Sequence, residues 1–402
     1  MKFIKFVAKK RLKSIFAKTQ HKMNYFSSDF KLGILGGGQL GKMLLFDTRK
    51  FDIQTYVLDP SDEAPSKIAC NKFFQGDLMD YETVYNFGKK VDVLTIEIEN
   101  VNVEALEKLE VEGVKVFPKP SVLKTIKNKI AQKQFYADNE IPSSNFVITH
   151  SSDEIKAHLG LLPAVHKLAE GGYDGKGVQV IEDEKSIALG FNAPAVLEEK
   201  VKIVKELALI VGMNAKGETV IFPPAEMVFD QVYNLLDYQL SPAKIEEQQL
   251  WKAEAIARKV VQSLKSPGLF AIELFVDQQG EILVNETAPR VHNSGHHTIE
   301  ANYCSQYDML LRIILDYPLG NPAPILPSAI VNLIGAEGYS GDVVYEVLDE
   351  VMKMENVFVH LYGKTTTKPG RKMGHVTIMS NDYQDLTHKA NKIKHTLKVV
   401  SK

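Results

Sequence analysis

The sequence predicts a protein of the α/β class, which counts as α+β when its whole length is considered. It is built from three successive blocks. Residues 31–120 alternate short β-rich runs with helical stretches, a pattern typical of a parallel sheet with crossover helices. Residues 122–318 begin with a Lys-rich helical stretch, continue with strand-like runs and contain a second helical stretch over 243–265. From 319 the chain is first Pro-rich and then adds strand-like runs and a closing helix, which predicts a small β-rich domain.

Each block is defined by its own apolar pattern. The β-rich runs of the first block cover 31–36, 54–59, 72–77, 92–98 and 114–118, and the prolines of "FPKPS" (117–121) indicate a linker. The second block has a helical stretch over 123–139 and strand-like runs at 164–169, 178–182, 195–201, 206–213, 269–277 and 281–288. The turn "QQG" separates the last two runs, which predicts a hairpin. The third block adds strand-like runs at 328–335 and 375–380.

Composition sets the broad class of protein. The 402 residues are enough for two or three domains, with predicted ranges of 24–121, 122–318 (including a small lid subdomain at about 141–200) and 319–402. A formal net charge of -2 argues against a general nucleic-acid binder. The two cysteines, Cys70 and Cys304, lie far apart in sequence, which suits a reducing, cytoplasmic compartment. No apolar run reaches the roughly 18 residues of a membrane span.

The first 22 residues differ from the rest of the chain, because they contain eight Lys or Arg and no acidic residue. Such a segment is typical of a basic amphipathic helix on a membrane surface, or of an organelle presequence. Alternatively, Met23 is the true start and residues 1–23 are an extension outside the fold. We favour the extension, because nothing in it joins the strand pattern that begins at Lys31.

A glycine-rich turn follows the first predicted strand. Gly36, Gly38 and Gly41 form G-x-G-x-x-G before a predicted helix, which allows a tight turn and brings backbone N–H groups close to an anion. Asp59 follows Gly41 by 18 residues, near the position of a ribose-binding acid. Taken alone, this pattern predicts a dinucleotide-binding domain and a nicotinamide-dependent oxidoreductase.

A second glycine-rich segment, "GGYDGKG" at 171–177, lies between two predicted strands. An ordinary hairpin needs two turn residues, whereas this segment combines glycines with a tyrosine, an aspartate and a lysine. Its backbone amides can therefore close over phosphates, and Lys167 on the preceding strand can reach the same phosphates. The residues of interest are Gly171, Gly172, Tyr173, Asp174, Gly175 and Lys176.

Two glutamates lie on the successive strands around "QQG". Glu273 interrupts a strongly apolar run, where a carboxylate is costly unless it is paired or bound to a cation. Glu286 lies on the next strand, so the two carboxylates can face each other across the hairpin. Such a pair suits Mg²⁺, which takes few protein oxygens and leaves its other positions to water and phosphates. The alternative for Glu273 is a solvent-facing position on an edge strand.

The stretch "APRVHNSGHHT" (288–298) follows the second glutamate. Its three histidines suggest zinc, but no cysteine or carboxylate nearby completes a tetrahedral set. Arg290, His292 and Asn293 are better explained as donors to an anion beside the metal and nucleotide. We expect His296 and His297 to pack or to stay solvated.

Other charged groups are weaker candidates. Lys364, Lys368, Arg371 and Lys372 form a basic cluster on a turn, which is either a solvated loop or a phosphate site.

Several acidic residues end predicted strands. Glu97, Glu99 and Asn100 end a strand of the first block, at the sheet edge where ligands usually bind. Glu198 can accept from an adenine amino group, and Glu206 can bond a ribose hydroxyl.

Taken together, Lys167, "GGYDGKG", Glu273, "NETAPRVHNSGHHT" and "KPGRKMGH" resemble the ATP-grasp ligases, and most closely the 5-(carboxyamino)imidazole ribonucleotide synthases. The resemblance covers about residue 31 to near 400. It implies an ATP-grasp fold with an N-terminal Rossmann-like preATP-grasp domain and a small C-terminal β-rich domain. In that family the first domain holds the ribonucleotide substrate instead of a dinucleotide.

The resemblance also implies roles for individual residues. Contacts to aminoimidazole ribonucleotide fall to Gln39 and Leu40, to Glu97 at its ribose, and to Lys364, Arg371 and Lys372 at its phosphate. Contacts to ATP fall to Lys129 and Lys167 at the phosphates, Glu198 and the Val201 backbone at the adenine, and Glu206 at the ribose. Glu273 and Glu286 hold Mg²⁺, while Arg290, His292 and Asn293 face bicarbonate and substrate. Tyr173, Asp174 and Lys176 close over the reacting groups.

The implied reaction is the ATP- and bicarbonate-dependent carboxylation of the ribonucleotide in purine biosynthesis. The resemblance further implies a homodimer and leaves a hand-off of the product to a mutase open, while the net charge and the lack of a long apolar run argue against a nucleic-acid or membrane partner. Two positions depart from the family pattern: "KLAEGG" lacks the usual basic residues after Lys167, and Lys129 stands where some members have Arg. Alternatives are an ATP-grasp enzyme with another acceptor, such as glycinamide ribonucleotide, the oxidoreductase, and a non-catalytic sensor.

Overall fold

The computed structural model describes Tyr25 and residues 28–172, 177–229 and 236–402. The proposed extension, residues 1–23, lies outside the described residues, as do Tyr173, Asp174, Gly175 and Lys176. Within the described part, no helix has the length and apolar character needed to cross a membrane.

The first unit is a parallel sheet with crossover helices, as the sequence predicts. Its strands are β1 (Lys31–Leu35), β2 (Gln54–Asp59), β3 (Lys72–Gln75), β4 (Val93–Ile96) and β5 (Lys115–Phe117). The helices are α1 (Gln39–Thr48), α2 (Tyr81–Gly88) and α3 (Val103–Val111), with short 3-10 helices at Arg49–Phe51 and Pro65–Ile68. The strand order is β3-β2-β1-β4-β5. Chain order therefore reverses at β1, and the carboxyl ends of β1 and β4 form a switch point where ligands bind.

Two helices connect this unit to the next. They are α4 (Pro120–Lys127) and α5 (Lys129–Asp138), so the prediction of one helix over 123–139 was wrong. Asn128 interrupts it with an extended backbone (φ -110°, ψ 115°), and its side chain accepts a hydrogen bond from Ala131 N. This cap begins α5 at Lys129. The predicted linker is also shorter, because Pro120 already occupies the first turn of α4.

The small subdomain is a four-stranded antiparallel sheet. Its strands are β6 (Phe146–Thr149), β7 (Ala164–Leu168), β8 (Val178–Ile181) and β9 (Ala195–Glu199), in the order β6-β9-β7-β8. Two 3-10 segments cover one face, Ser152–Leu161 and Glu184–Leu189, and enclose a core around Ile155 and Leu197. The glycine-rich segment 171–177 connects β7 to β8 at the end of this sheet.

The remaining elements build one large sheet and its cover. The strands are β10 (Ile203–Met213), β11 (Thr219–Ile221), β12 (Ala225–Phe229), β13 (Leu236–Ser241), β14 (Gly268–Asp277), β15 (Ile282–Ala288), β16 (Ser328–Ile334), β17 (Gly341–Glu346), β18 (Val357–Leu361), β19 (Thr366–Thr367), β20 (Lys372–Met379) and β21 (Lys398–Ser401). The helices are α6 (Glu247–Leu264), α7 (Thr298–Ala301), α8 (Gln306–Ile314), α9 (Leu348–Met352) and α10 (Tyr383–Thr396), with a 3-10 turn at Asn293–Gly295.

The large sheet crosses the boundary that the sequence suggests near 319. Its order is β15-β14-β10-β12-β13-β16-β20-β18, with β11 attached to β10. The crossing occurs where Gln239–Ser241 on β13 pairs with Ser328–Ile330 on β16. Backbone hydrogen bonds therefore join the second and third blocks, which fixes the basic segment before β20 relative to the glutamates on β14 and β15. A smaller sheet, β19-β17-β21, completes the C-terminal part.

Candidate active site

The two predicted metal ligands face each other. Glu273 on β14 and Glu286 on β15 are direct partners in the antiparallel register, beside a bulge after Glu273. Strand β14 lies between β15 and β10, so the edge-strand alternative for Glu273 was wrong. Lys129 at the start of α5 donates to Glu286 Oε2 at 2.8 Å. Glu206 on β10 lies on the same sheet face as Glu273, two residues from its register partner Ala208.

The carboxylates have different ionisation behaviour. Burial, helped by the charges of Glu286 and Glu206, raises the pKa of Glu273 to about 8. Burial alone would raise the pKa of Glu286 as well, but the charges of Lys129 and Lys167 outweigh it and lower that pKa. Lysine charge thus outweighs burial at Glu286 but does not do so at Glu273. A half-buried carboxylate whose charge is only partly compensated, facing a second carboxylate, is a donor set that fits a hard cation such as Mg²⁺.

A buried ion-pair network supports the predicted ATP lysine. Glu198 Oε1 lies 3.2 Å from Lys167 Nζ, and Glu198 Oε2 lies 3.0 Å from Lys133 Nζ. Ser144 donates to the same Oε2 at 2.8 Å, and Lys167 also donates to Asn285 Oδ1 at 3.1 Å. Burial would raise the pKa of Glu198, but Lys167 and Lys133 outweigh it and lower the value. Glu198 therefore orients Lys167 toward the strand that carries Glu286.

Hydrogen bonds fix the residues just before the glycine-rich segment 171–177. Gly171 and Gly177 both have left-handed backbones (φ 79° and 77°), which favours glycine at these positions. Glu170, the acidic residue that departs from the family pattern, accepts from Asn128 Nδ2 at 3.0 Å. Lys129 N also donates to Ala169 O at 2.8 Å. These bonds tie the small subdomain to the start of the helix that carries Lys129.

The first glycine-rich turn does not present its amides to a phosphate. Gly37 N donates to the Asp59 carboxylate at 2.6 Å, and Leu40 N donates to the Glu97 carboxylate at 3.2 Å. The amide of Gly38 also bonds to Glu97, and a side chain at Gly38 would collide with that carboxylate. Asp59 is thus committed to the turn itself and not to a ribose. Two carboxylates of the chain occupy the anion-binding positions that a dinucleotide would need.

The ribonucleotide residues proposed in the first unit lie at the switch point. Gln39 and Leu40 begin α1, next to Glu97 at the end of β4. Arg290 reaches this edge from the end of β15 and pairs with Glu99 Oε1 at 2.9 Å. Burial raises the pKa of Glu97, although the nearby Arg290 charge opposes the shift. The arginine thereby joins the site in the first unit to the site on the large sheet.

The basic cluster lies against the same edge. Lys42 on α1 donates to Tyr362 O at 3.1 Å, which places the 362–372 segment over the start of α1. Lys364 donates to Lys372 O at 2.7 Å, and Arg371 donates to Thr366 O at 2.8 Å. The sequence-predicted Lys364, Arg371 and Lys372 are therefore held together on one loop, beside the turn that carries Gln39.

Comparison with known proteins gives the same division of the chain. Three family models match: the ribonucleotide synthetase preATP-grasp domain over 30–127, the ATP-grasp domain over 134–307 and the phosphoribosylaminoimidazole carboxylase C-terminal domain over 328–389. The N5-carboxyaminoimidazole ribonucleotide synthase of Aquifex aeolicus is 32% identical over 379 residues, covering 91% of this chain and 97% of that protein. The chain belongs to the N5-carboxyaminoimidazole ribonucleotide synthase family.

Solved structures agree with this membership of the synthase family. The synthetase from Thermotoga maritima has a TM-score of 0.86 and 39% identity, covering 93% of this chain and 100% of that chain. The synthase from Aspergillus clavatus, in complex with ADP and 5-aminoimidazole ribonucleotide, has a TM-score of 0.82 and 30% identity, covering 91% and 99%. The phosphoribosylaminoimidazole carboxylases of Ogataea methanolica and Vigna aconitifolia are longer, and the chain spans 69% and 65% of their lengths. The predicted ATP-grasp fold and the ligase family are confirmed.

The loop after β15 is fixed by hydrogen bonds from α8, the helix that packs against it. Gln306 on α8 accepts from His292 N at 2.9 Å and donates to His292 O at 2.8 Å. The His292 ring bonds Ser294 Oγ at 2.9 Å, and its Nε2 lies 3.8 Å from Glu273 Oε1. Asn293 begins the 3-10 turn that follows. Arg290, His292 and Asn293 thus lie between the glutamate pair and the edge of the first unit.

His296 and His297 are both buried. Of the two expectations for them, packing and solvation, packing is confirmed. His296 bonds Tyr307 OH at 3.0 Å, and burial lowers its pKa well below the usual value. Burial also lowers the pKa of His297 to about 4. Across the described ranges, no group of three or more His, Cys, Asp or Glu is arranged to hold a metal ion.

Several site residues were missed by sequence reasoning. Lys133 follows Lys129 by four residues on a helix, and this same-face spacing was the available signal. Gln306 and Ser144 act from distant elements, and no local pattern marks them. Val201 lies between β9 and β10, at the connection from the small sheet to the large one, and its adenine contact stays a prediction.

Proposed function

We propose that the protein carboxylates 5-aminoimidazole ribonucleotide in purine biosynthesis. It would use ATP and bicarbonate and would release N5-carboxyaminoimidazole ribonucleotide, ADP and phosphate. The observation that carries the proposal is the joint arrangement of the Glu273–Glu286 pair and a glycine-rich turn whose anion positions are filled by Asp59 and Glu97. Membership of the synthase family and a related complex with ADP and 5-aminoimidazole ribonucleotide support it.

The nucleotide side of the proposed site lies between the small sheet and the large sheet. Lys129 and Lys167 would contact the ATP phosphates, because both point toward the strand of Glu286. Glu206 would bond the ribose, while Glu198 and the Val201 backbone would lie at the adenine. Glycines 171, 172 and 175 would cover the phosphates. Glu273 and Glu286 would hold Mg²⁺, which supplies charge neutralisation at the phosphates when bound.

The ribonucleotide side lies at the edge of the first unit. Glu97 would hold the ribose beside Gln39 and Leu40, since all three lie at one switch point. The loop with Lys364, Arg371 and Lys372 would take the 5′-phosphate, because charged donors bind phosphate most strongly.

The proposed reaction has three chemical steps. A bicarbonate oxygen attacks the γ-phosphorus of ATP, and the bond to ADP breaks, which gives carboxyphosphate. Carboxyphosphate separates into CO₂ and phosphate, and the exocyclic amine attacks CO₂ and loses one proton to form the carbamate. Arg290 would stabilise the oxyanions. Asp174 and His292 are the two candidates for the proton transfer, and Tyr173 and Lys176 would close the site.

The setting of the reaction belongs to the same proposal. Cys70 and Cys304 are both free thiols, which fits a reducing, cytoplasmic compartment. A homodimer and a mutase that receives the carbamate are expected from the family, with no nucleic-acid or membrane partner.

The test is ADP release by purified protein with ATP, Mg²⁺ and bicarbonate, with and without the ribonucleotide. We expect ADP release that depends on the ribonucleotide, together with labelled carbamate from labelled bicarbonate. ADP release that ignores this ribonucleotide but responds to glycinamide ribonucleotide would assign another acceptor. Absence of ADP release from folded, nucleotide-binding protein would overturn the proposal.

A further inference from the structure

Two loops of the proposed site are joined by buried histidine rings. The reaction loop, residues 290–297, carries Arg290, His292 and Asn293. The phosphate loop, residues 362–372, carries the basic cluster. The two loops come from different parts of the chain, and a substrate that spans them needs both in register.

The joining contact is a cluster of three imidazole rings, called the ring stack below, in which His296 is tilted by 30° against His375 and His360 is stacked on His375. His296 lies at the end of the reaction loop, and His375 lies three residues beyond Lys372 on β20. The centroids of their rings are 4.6 Å apart. His360 on the neighbouring strand stacks on the other side of His375 at 4.5 Å, with an interplanar angle of 7°. His375 and His296 are almost completely buried. Burial lowers both pKa values well below the usual range, and the charges of neighbouring histidines such as His360 add to the shift, which favours the neutral rings.

From His296 the contacts lead to the reacting groups. His296 Nδ1 lies 3.3 Å from Gln306 Nε2, and Gln306 bonds both the N and the O of His292. A side chain at Gly295 would meet the Gln306 amide at 2.6 Å, so the reaction loop fits closely around that side chain. If His296 moves, Gln306 moves with it, and the hydrogen bonds from Gln306 to the His292 backbone are disturbed.

From His375 the contacts lead to the phosphate loop. His375 Nδ1 bonds Tyr362 OH at 3.1 Å, and Tyr362 O accepts from Lys42 on α1. The opposite ring atom, His375 Nε2, is buried without a hydrogen-bond partner among the described residues. A buried polar atom left unpaired costs stability. The ring is therefore kept at some cost at Nε2, while it pairs Tyr362 OH through Nδ1 and contacts the rings of His296 and His360.

We propose that His375 and His296 are positioning residues that transmit binding of the ribonucleotide phosphate to the reaction loop. This inference rests on the proposed function. Phosphate held by Lys364, Arg371 and Lys372 fixes β20 at its first residues, and the ring stack carries that order through Gln306 to His292. Binding energy from the remote phosphate is then used to align the reacting groups, which raises kcat and not only affinity.

The test compares ring-keeping and ring-removing variants. His375→Leu removes the stack and keeps an apolar side chain, whereas His375→Phe keeps a ring. Val376→Ala is the matched control, because Val376 lies next to His375 on β20, is fully buried and packs in the core on the opposite face. Each protein is assayed for ADP release with the ribonucleotide and with its phosphate-free riboside, and thermal unfolding is recorded.

With the ribonucleotide, we expect His375→Leu to lower kcat about tenfold or more, with the KM for ATP changed less than about twofold. With the riboside, its kcat should equal that of the wild type, since no phosphate is present to transmit. His375→Phe and Val376→Ala should stay within about threefold of the wild type on the ribonucleotide. If His375→Leu does not fold, His375→Met is the substitute, because it also removes the ring and keeps an apolar side chain, and the same division between the two substrates is expected.

Equal kcat losses with ribonucleotide and riboside would overturn the inference, because they would indicate general damage. A Val376→Ala loss as large as that of His375→Leu would do the same, as would an unchanged His375→Leu enzyme. Failure of the proposed function is distinguishable, because the wild type itself would then show no ribonucleotide-dependent ADP release.

Discussion

Glu97, just after β4, and Glu273, within β14, are both half-buried carboxylates of the site, yet their surroundings differ. Glu97 receives hydrogen bonds from the amides of Gly38 and Leu40 and lies near Arg290. Glu273 faces a second carboxylate, Glu286, and its pKa rises to about 8. Burial raises the pKa of both, but backbone amides and Arg290 oppose the rise at Glu97, whereas the charges of Glu286 and Glu206 add to it at Glu273, which suits a bound cation there. Burial of an acid therefore predicts a metal site only when the chain leaves the charge uncompensated.

The comparison also explains why one glycine-rich turn gave two interpretations. In a dinucleotide-binding domain the amides of such a turn face a pyrophosphate. Here the carboxylates of Asp59 and Glu97 occupy these amides. A pyrophosphate would have to displace two negative groups, so the oxidoreductase alternative loses its binding site.

The largest expected effect comes from Glu273→Gln. We expect ADP release to fall about a thousandfold, because the amide cannot replace a metal-binding carboxylate. Stability without ligand should change by less than about 1 kcal/mol, since a pKa near 8 leaves Glu273 largely protonated at pH 7. Mg·ADP should raise the Tm of the wild type but not of the variant.

The control for this experiment is Glu281→Gln on the same hairpin. Glu281 is exposed and pairs with Lys252 at 3.1 Å, so its removal should leave both turnover and Tm nearly unchanged. Normal turnover by Glu273→Gln would remove this residue from the metal site.

Glu97→Gln should affect the other substrate. Loss of charge-assisted bonds is expected to raise the KM for the ribonucleotide about tenfold to a hundredfold, equivalent to about 1.5–3 kcal/mol. The Tm shift with Mg·ADP should remain, which is the reverse of the Glu273→Gln result. Steady-state kinetics in both substrates measures this, and an increase confined to the KM for ATP would contradict it.

Gly38→Ala tests the steric side of the same contact. A Cβ at Gly38 would collide with the Glu97 carboxylate, although its φ of -71° suits any residue. We expect a loss of about 1–3 kcal/mol in the free energy of unfolding, measured by urea denaturation. The KM for the ribonucleotide should rise, as it does for Glu97→Gln. Gly160→Ala is the control, because a Cβ there meets nothing within 4 Å. Equal stabilities of the two variants would show that the turn tolerates a displaced Glu97.

The smallest expected effect concerns pH and the buried His297. Burial lowers its pKa to about 4, while the unfolded chain takes up the proton near 6.5. Between these values the unfolded state binds more protons, so the free energy of unfolding falls as the pH falls below 6.5.

The free energy of unfolding should be about 1 kcal/mol lower at pH 5.5 than at pH 7.5 because of His297. In His297→Leu, the difference between the two pH values should be smaller by this amount. Urea denaturation of both proteins at the two pH values measures the difference. The same slope in the variant and in the wild type would contradict the assignment.

Local patterns predicted much of the fold and of the candidate site. The five parallel strands of the first unit and the hairpin that carries Glu273 and Glu286 were read from alternation, apolar runs and turn residues. The prediction failed where a single residue competes with a helix, as at Asn128, whose side-chain cap divides a continuous pattern into α4 and α5. Strand β18 was also missed, although Asn356 and Gly363, both with left-handed backbones, flank its short run and were the available signal.

The sequence by itself determined which chemical groups are present: two glutamates on a hairpin, two glycine-rich segments, and lysines and arginines before β20. Only the tertiary structure decided their partners. Glu198 between Lys133 and Lys167, Glu97 in the amides of the first turn, and His375 against His296 are all contacts between distant parts of the chain. The physical reason is that a buried charge or ring is given its role by the groups that compensate it, and sequence spacing does not specify those groups.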